Sequence, residues 1–164
     1  MSKPVRDSII DLLRSSLPES CIVSDPVSMK PYECDGLSGY RQMPRVVVLP
    51  ETIKQVQAVM KICQDTRTPI VPRGAGTSLS GGAMPHKDGV VLSLARLNNI
   101  LEIDPDTRTA RVPAGVRSLQ LSEAGPHLGL CSAPAPASQR ACTVGGLVAE
   151  GGGGVRGLEW GWRG

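Results

Sequence analysis

Pro72-Arg73-Gly74-Ala75-Gly76-Thr77-Ser78-Leu79-Ser80-Gly81-Gly82, which opens at the end of the short apolar run Pro69-Ile70-Val71, is the stretch whose reading decides the rest of this chain. Gly74, Gly76, Gly81 and Gly82 carry no β-carbon, so successive N–H groups can turn toward one point and approach an anion closely. Thr77, Ser78 and Ser80 add hydroxyl donors, and Arg73 brings a positive charge to the edge of the loop. A strand followed by such a run is the pattern of a phosphate cradle; the plainer alternative is a glycine-rich surface turn with no ligand.

Two familiar phosphate loops are excluded by spacing. A Walker A loop ends in Gly-Lys-Ser/Thr, and this stretch contains no lysine. A Rossmann fingerprint places its third glycine three positions after the second, where this chain has Leu79.

Outward from the loop, the chain alternates short strands and helices. Arg45 to Leu49 is a β-branched run closed by Pro50, the pattern of a buried strand. Thr52 with Gln55 forms a capping box, and Ile53, Val56, Val59, Met60 and Cys63 make the apolar stripe of the following helix. Gly89 to Leu94 is a third strand, entered through Lys87-Asp88-Gly89, and Ile100–Asp104 and Thr107–Val112 flank a hairpin turn at Pro105-Asp106. Leu119 to Leu128 has helical character, ended early by Gly125-Pro126. Toward the N-terminus, Val5, Ile9, Leu12, Leu13 and Leu17 recur at helical spacing, a helix that docks by one face. Cys21 to Pro44, broken by prolines and glycines, reads as an extended arm in which Asp35 and Tyr40 are turn and packing residues.

Composition narrows the function. Of 164 residues 40% are hydrophobic and none is Phe, so a soluble core must come from aliphatic side chains, while 19 Gly and 14 Pro make a loop-rich chain. A net charge of +3 with no basic stripe argues against nucleic acid. Five cysteines without paired spacing do not make a disulfide framework, and His86 and His127 lack partners at metal spacing. No metal site is expected. The charged N-terminal residues do not make a signal peptide, so the expected location is cytoplasmic, with any membrane contact at the inner face made through partners.

A second constellation lies between Ala133 and Gly154: Pro134-Ala-Pro136-Ala-Ser138-Gln139, then Cys142-Thr143-Val-Gly145-Gly146, then four glycines. Two such lines suit a ligand with an extended polyanionic part and a flat head. Together with Tyr32-Glu-Cys-Asp35-Gly36-Leu-Ser-Gly-Tyr40, Arg45–Pro50 and Pro72–Gly82, it resembles the FAD-linked 2-hydroxy-acid oxidoreductases, most of all the glycolate oxidase FAD subunits and their D-lactate dehydrogenase relatives. The resemblance runs to about Gly161.

That resemblance implies an α+β, vanillyl-alcohol-oxidase/PCMH-type FAD-binding domain, with FAD between two small α/β subdomains, the second incomplete. It divides the chain into residues 1–44, helix and arm, and 45–164, a partial FAD-binding domain. It assigns Arg73, Gly74, Ala75, Gly76, Thr77, Ser78, Leu79, Ser80, Gly81 and Gly82 to the pyrophosphate, and Pro136, Ser138, Cys142, Thr143, Gly145 and Gly146 to the ribityl chain and isoalloxazine. It implies a flavoprotein oxidising glycolate or D-lactate by hydride transfer, alongside other subunits of a glycolate-oxidase-type complex, an iron-sulfur subunit among them.

The chain departs from the family pattern at Ala135, usually Asp; at Leu147, usually Asn; and at Gly151-Gly152, usually Asn-Ala. Leu147 removes a donor and an acceptor, and the added glycine raises the entropy cost of ordering the loop, so weaker cofactor binding is expected. The pattern stops after Leu158-Glu-Trp-Gly161, ahead of the family's substrate domain. A C-terminally truncated fragment with no catalytic residue of its own is therefore expected. The competing readings are a non-catalytic piece of a broken or split gene and a stand-alone nucleotide-binding module.

Overall fold

The computed structural model describes residues 6–132, 136–152 and 154. Two compact units divide the chain, 1–96 and 97–164. Val5, Pro134, Ala135 and the stretch 155–164 with Leu158–Gly161 lie outside the described residues.

The first unit is built on a four-stranded sheet. Its strands are β1 (Ile22–Val23), β2 (Val46–Val48), β3 (Ile70–Arg73) and β4 (Val90–Ser93), in the order β1-β2-β4-β3. The central pair is parallel, Val46 opposite Val90 and Val48 opposite Leu92; β3 is parallel to β4, and β1 antiparallel to β2. Alternation along the two inner strands sends side chains to opposite faces. Val46, Val48, Val90 and Leu92 face α1 (Arg6–Ser16) and α3 (Ile53–Asp65), joining Ile9, Leu13, Leu17, Val59 and Cys63. Val47 and Val91 face the other way, onto Met29, Val23, Tyr32 and Met43. The five central valines are wholly buried, each worth roughly 1.5–3 kcal/mol over exposure. Burial pushes the Cys63 thiol pKa up, so it stays protonated and packs as a small apolar side chain.

The capping box at Thr52 and Gln55 is present on both sides: Thr52 Oγ1 accepts from Gln55 N at 3.2 Å, and Gln55 Oε1 accepts from Thr52 N at 3.1 Å. The stripe of α3 is rotated from the expected one. Val56, Val59 and Cys63 pack inward with Ile62, whereas Ile53 and Met60 are exposed, because the buried face is the one that meets α1. Leu12 on α1 is likewise exposed.

The segment read as an extended arm is structured in its first half, to Tyr32, while 33–44 is irregular as expected. After a 3-10 turn at Glu19–Cys21 it supplies β1, then α2 (Pro26–Met29), capped by Asp25, then a second 3-10 turn at Lys30–Tyr32. Its short elements are too brief to carry a periodic signal. What orders them is contact with the second sheet face.

The second unit begins with a hairpin of β5 (Glu102–Asp104) and β6 (Thr109–Arg111). Asp104 Oδ1 accepts from Asp106 N and Thr107 N at 2.9 and 3.2 Å, and the bonds from Thr107 hold its carboxyl below the usual range. α4 (Ser118–Ala124) stops at Gly125, and Pro126–Leu128 continues as a 3-10 turn, as the Gly-Pro pair dictates. α5 (Val144–Ala149) is the last helix among the described residues.

Candidate functional site

The loop after β3 leaves the sheet at its C-terminal end, beside the end of β4, with Leu94 N donating to Arg73 O at 2.9 Å. Gly76 and Gly81 take φ values of +70° and +76°, the left-handed region glycine alone enters cheaply. Among the described residues, the N–H groups of Gly74, Ala75, Gly76 and Thr77 have no hydrogen-bond partner. Four consecutive unpartnered backbone donors on a glycine-turned loop are the kind of donor run that suits phosphate oxygens. Ser78 Oγ accepts from Ser80 N at 3.2 Å, so that hydroxyl braces the turn. Leu79, Ser80 and Gly82 are exposed, and Ser78 and Gly81 partly so.

Arg73 does something other than line the edge. Its side chain is buried: Nη1 donates to Cys34 O at 2.7 Å, Nη2 donates to Pro31 O at 3.3 Å, and the guanidinium lies 5.6 Å from the Tyr32 ring centre. Burial lowers its pKa, yet arginine remains charged. A β-carbon at Gly76 would collide with that guanidinium. At the far end of the loop, buried Asp35 accepts from Ala83 N through Oδ2 at 3.4 Å and from Leu37 N through Oδ1 at 2.9 Å. Asp35 is thus the turn and packing residue its sequence context suggests. The carbonyls of Pro31 and Cys34 give no sequence signal, because any residue type supplies one.

Glu33, buried between these contacts, accepts from Lys30 Nζ at 2.8 Å and Arg41 Nη1 at 2.7 Å. Those cations, Lys30 foremost, hold its carboxyl below the usual range. His86 is exposed and accepts from Asp88 N at 3.1 Å, a turn contact; His127 is also exposed.

In the second unit the predicted residues gather around the start of α5. Ser138 O accepts from the N–H groups of Ala141 and Cys142 at 2.8 Å, and Cys142 O accepts from Ser118 N at 3.0 Å. Thr143 is buried and caps α5, accepting from Gly146 N at 3.2 Å. Gly145 lies against Ala114, where an added β-carbon would come within 2.6 Å of the Ala114 β-carbon; its N–H donates to Ala114 O at 3.0 Å. Pro136 opens the turn, its carbonyl accepting from Gln139 N at 3.0 Å. Leu147 is buried, and Gly152 closes onto it with a 2.7 Å bond to its carbonyl. In this chain the position serves packing.

The first unit is mixed α/β, with a glycine-turned loop of unpartnered backbone donors at the C-terminal end of its parallel strands, a chemistry that suits a cofactor pyrophosphate. The chain belongs to the FAD binding domain family, whose model matches residues 44–162. Its cofactor is FAD. It is 50% identical over 157 residues to the glycolate oxidase subunit GlcD of Escherichia coli strain K12, covering 95% of this chain and 31% of that protein. It is 43% identical over 116 residues to the D-lactate dehydrogenase of Archaeoglobus fulgidus, covering 71% of this chain and 26% of the relative. The chain thus spans about a third or less of the length of these relatives. Among solved structures, alkyldihydroxyacetonephosphate synthase superposes with a TM-score of 0.85 at 19% identity, over 99% of this chain and 34% of that one. p-Cresol methylhydroxylase follows at 0.76 and 24%, over 93% and 30%. At those identities the likeness is one of fold, and the fold is the vanillyl-alcohol-oxidase/PCMH type. No helix among the described residues is long and apolar enough to cross a membrane.

Proposed function

We propose that this chain is the flavin-holding part of an oxidoreductase that oxidises a 2-hydroxy acid of the glycolate or D-lactate type. The observation that carries the reading is the unpartnered N–H run at Gly74–Thr77, in a chain half-identical to a protein named a glycolate oxidase subunit. When bound, FAD supplies the hydride acceptor; the protein's share is to hold and orient it. The loop from Gly74 to Gly82 takes the pyrophosphate through backbone donors, with Thr77 and Ser80 hydroxyls at hand. Pro136, Ser138, Cys142, Thr143, Gly145 and Gly146 form the line for the ribityl chain and isoalloxazine. Residues 1–44 act as the supporting segment and 45–164 as the cofactor-binding part. Substrate oxidation requires the remainder of a full-length relative, and the iron-sulfur subunit of a glycolate-oxidase-type complex is the proposed electron partner, on the cytoplasmic side of the membrane.

The deciding experiment is a visible absorbance spectrum of the purified chain, followed by titration with FAD, FMN and ATP. A bound flavin spectrum and tightest binding of FAD support the reading. Equal or tighter binding of ATP would make the chain a general nucleotide module instead.

A further inference from the structure

We propose that residues 31–37 form a bracket that holds both ends of the cofactor loop, with Arg73 and Asp35 as positioning residues that never touch the cofactor. The inference rests on the FAD reading for its effect on affinity, while its structural half stands apart from that reading. Arg73 is the last residue before the loop, and its guanidinium is spent on the carbonyls of Pro31 and Cys34. Asp35 sits one residue beyond Cys34 and takes the N–H of Ala83, the first residue after the loop. Between these posts Gly36 lies directly under the loop, where a β-carbon would come within 2.7 Å of Ser78 O and 3.0 Å of Thr77 O.

The carbonyls of Thr77 and Ser78 thus lie against Gly36 in the bracket, while the N–H groups at 74–77 have no partner among the described residues. Arg73 is buried, and both of its terminal nitrogens already donate to carbonyls on the side of the loop that faces residues 31–34. Its fork is what spans the two acceptors, and a lysine ammonium has no such planar fork. The Glu33 contacts to Lys30 and Arg41, with the Gln42 N to Glu33 O bond of 2.8 Å, close the bracket from behind.

The test compares Arg73→Lys and Asp35→Asn with the unaltered full chain. Amide exchange at Leu37 and Ala83 is read by NMR without cofactor, and FAD affinity is read by flavin fluorescence at several salt concentrations. Leu37 and Ala83 are bonded to Asp35 and not to Arg73, so faster exchange there in Arg73→Lys reports a bracket that acts as one piece. About a tenfold rise in exchange and in the Kd for FAD is expected for both variants, the equivalent of one lost hydrogen bond to a charged group. The salt dependence of the Kd should be unchanged, because no charge contact to the cofactor is lost. Melting temperature and circular dichroism control for the fold, and Asp35→Asn, close in volume, provides the variant that keeps it.

If Arg73→Lys retains wild-type affinity and leaves Leu37 and Ala83 protected, Arg73 acts by charge and the bracket is wrong. Should the unaltered chain bind no FAD while the amides respond as expected, the bracket stands and the FAD reading falls.

Discussion

Replacing Gly76 by Ala tests the packing beneath the cofactor loop. Two costs arise from the structure. The residue sits at φ +70°, where a β-carbon costs roughly 1–2 kcal/mol. The new methyl also enters the space of the Arg73 guanidinium, which must withdraw from Cys34 O or Pro31 O. Giving up one hydrogen bond from a charged, buried donor costs roughly 1.5–3 kcal/mol. The sum for Gly76→Ala is about 2.5–5 kcal/mol. With Arg73 first replaced by Ala the collision is gone, and only the backbone term of about 1–2 kcal/mol remains. The assay is urea unfolding followed by far-UV circular dichroism on the four members of the cycle. Val59→Ala, a cavity in the core of the 1–96 unit, identifies which transition belongs to that unit. Equal costs for Gly76→Ala in both backgrounds would refute the reasoning, since the loop would then not rest on Arg73.

Removing the hydroxyl in Thr52→Ala deprives Gln55 N of its acceptor and should lower stability by about 1 kcal/mol in the same urea assay; no change would mean that the cap is made in solution by water. Arg67 holds φ 52° just past the end of α3, so Arg67→Gly should raise stability by up to ~1 kcal/mol, measured as a higher unfolding midpoint. Glu33 has a folded pKa depressed by Lys30 and then Arg41. Its pairing therefore adds stability above the unfolded value, about 4.3, and that stability is lost as pH falls through the folded pKa. Glu33→Gln should flatten the stability profile in that acid range, and an unaltered slope would show that the pairs contribute nothing there.

Much of the fold was legible because it is written in local signals. Thr52 and Gln55 announce a helix start through side chains that bond their own backbone, and Gly125-Pro126 announces a stop by removing a donor and fixing φ. The valine runs at 46–48 and 90–91, bounded by Pro50 and by the turn at Asp88-Gly89, read as buried strands. The rotation of α3 was not legible, because Ile53 and Met60 fit the same helical period as Val59 and Cys63, and only the position of α1 selects the buried face. The short elements within 21–32 were not legible for a related reason. Prolines and glycines across 21–44 mark turns, while the contacts that order the segment come from the sheet face made by Val47 and by Val91, the latter almost fifty residues further along the chain.

The candidate site divides in the same way. That the 74–82 loop suits phosphate follows from glycine, hydroxyl and spacing alone, since a backbone donor array needs only residues that let the backbone turn. The sequence also carried enough order of motifs to mark the FAD-binding family. Where Arg73 points was decided only by the tertiary structure. A side chain with five donors and a long flexible stem goes where acceptors stand, and here these are two carbonyls some forty residues earlier in the chain. Leu147 follows suit: read alone it is a lost amide, but in the folded unit it is a buried packing residue against which Gly152 closes.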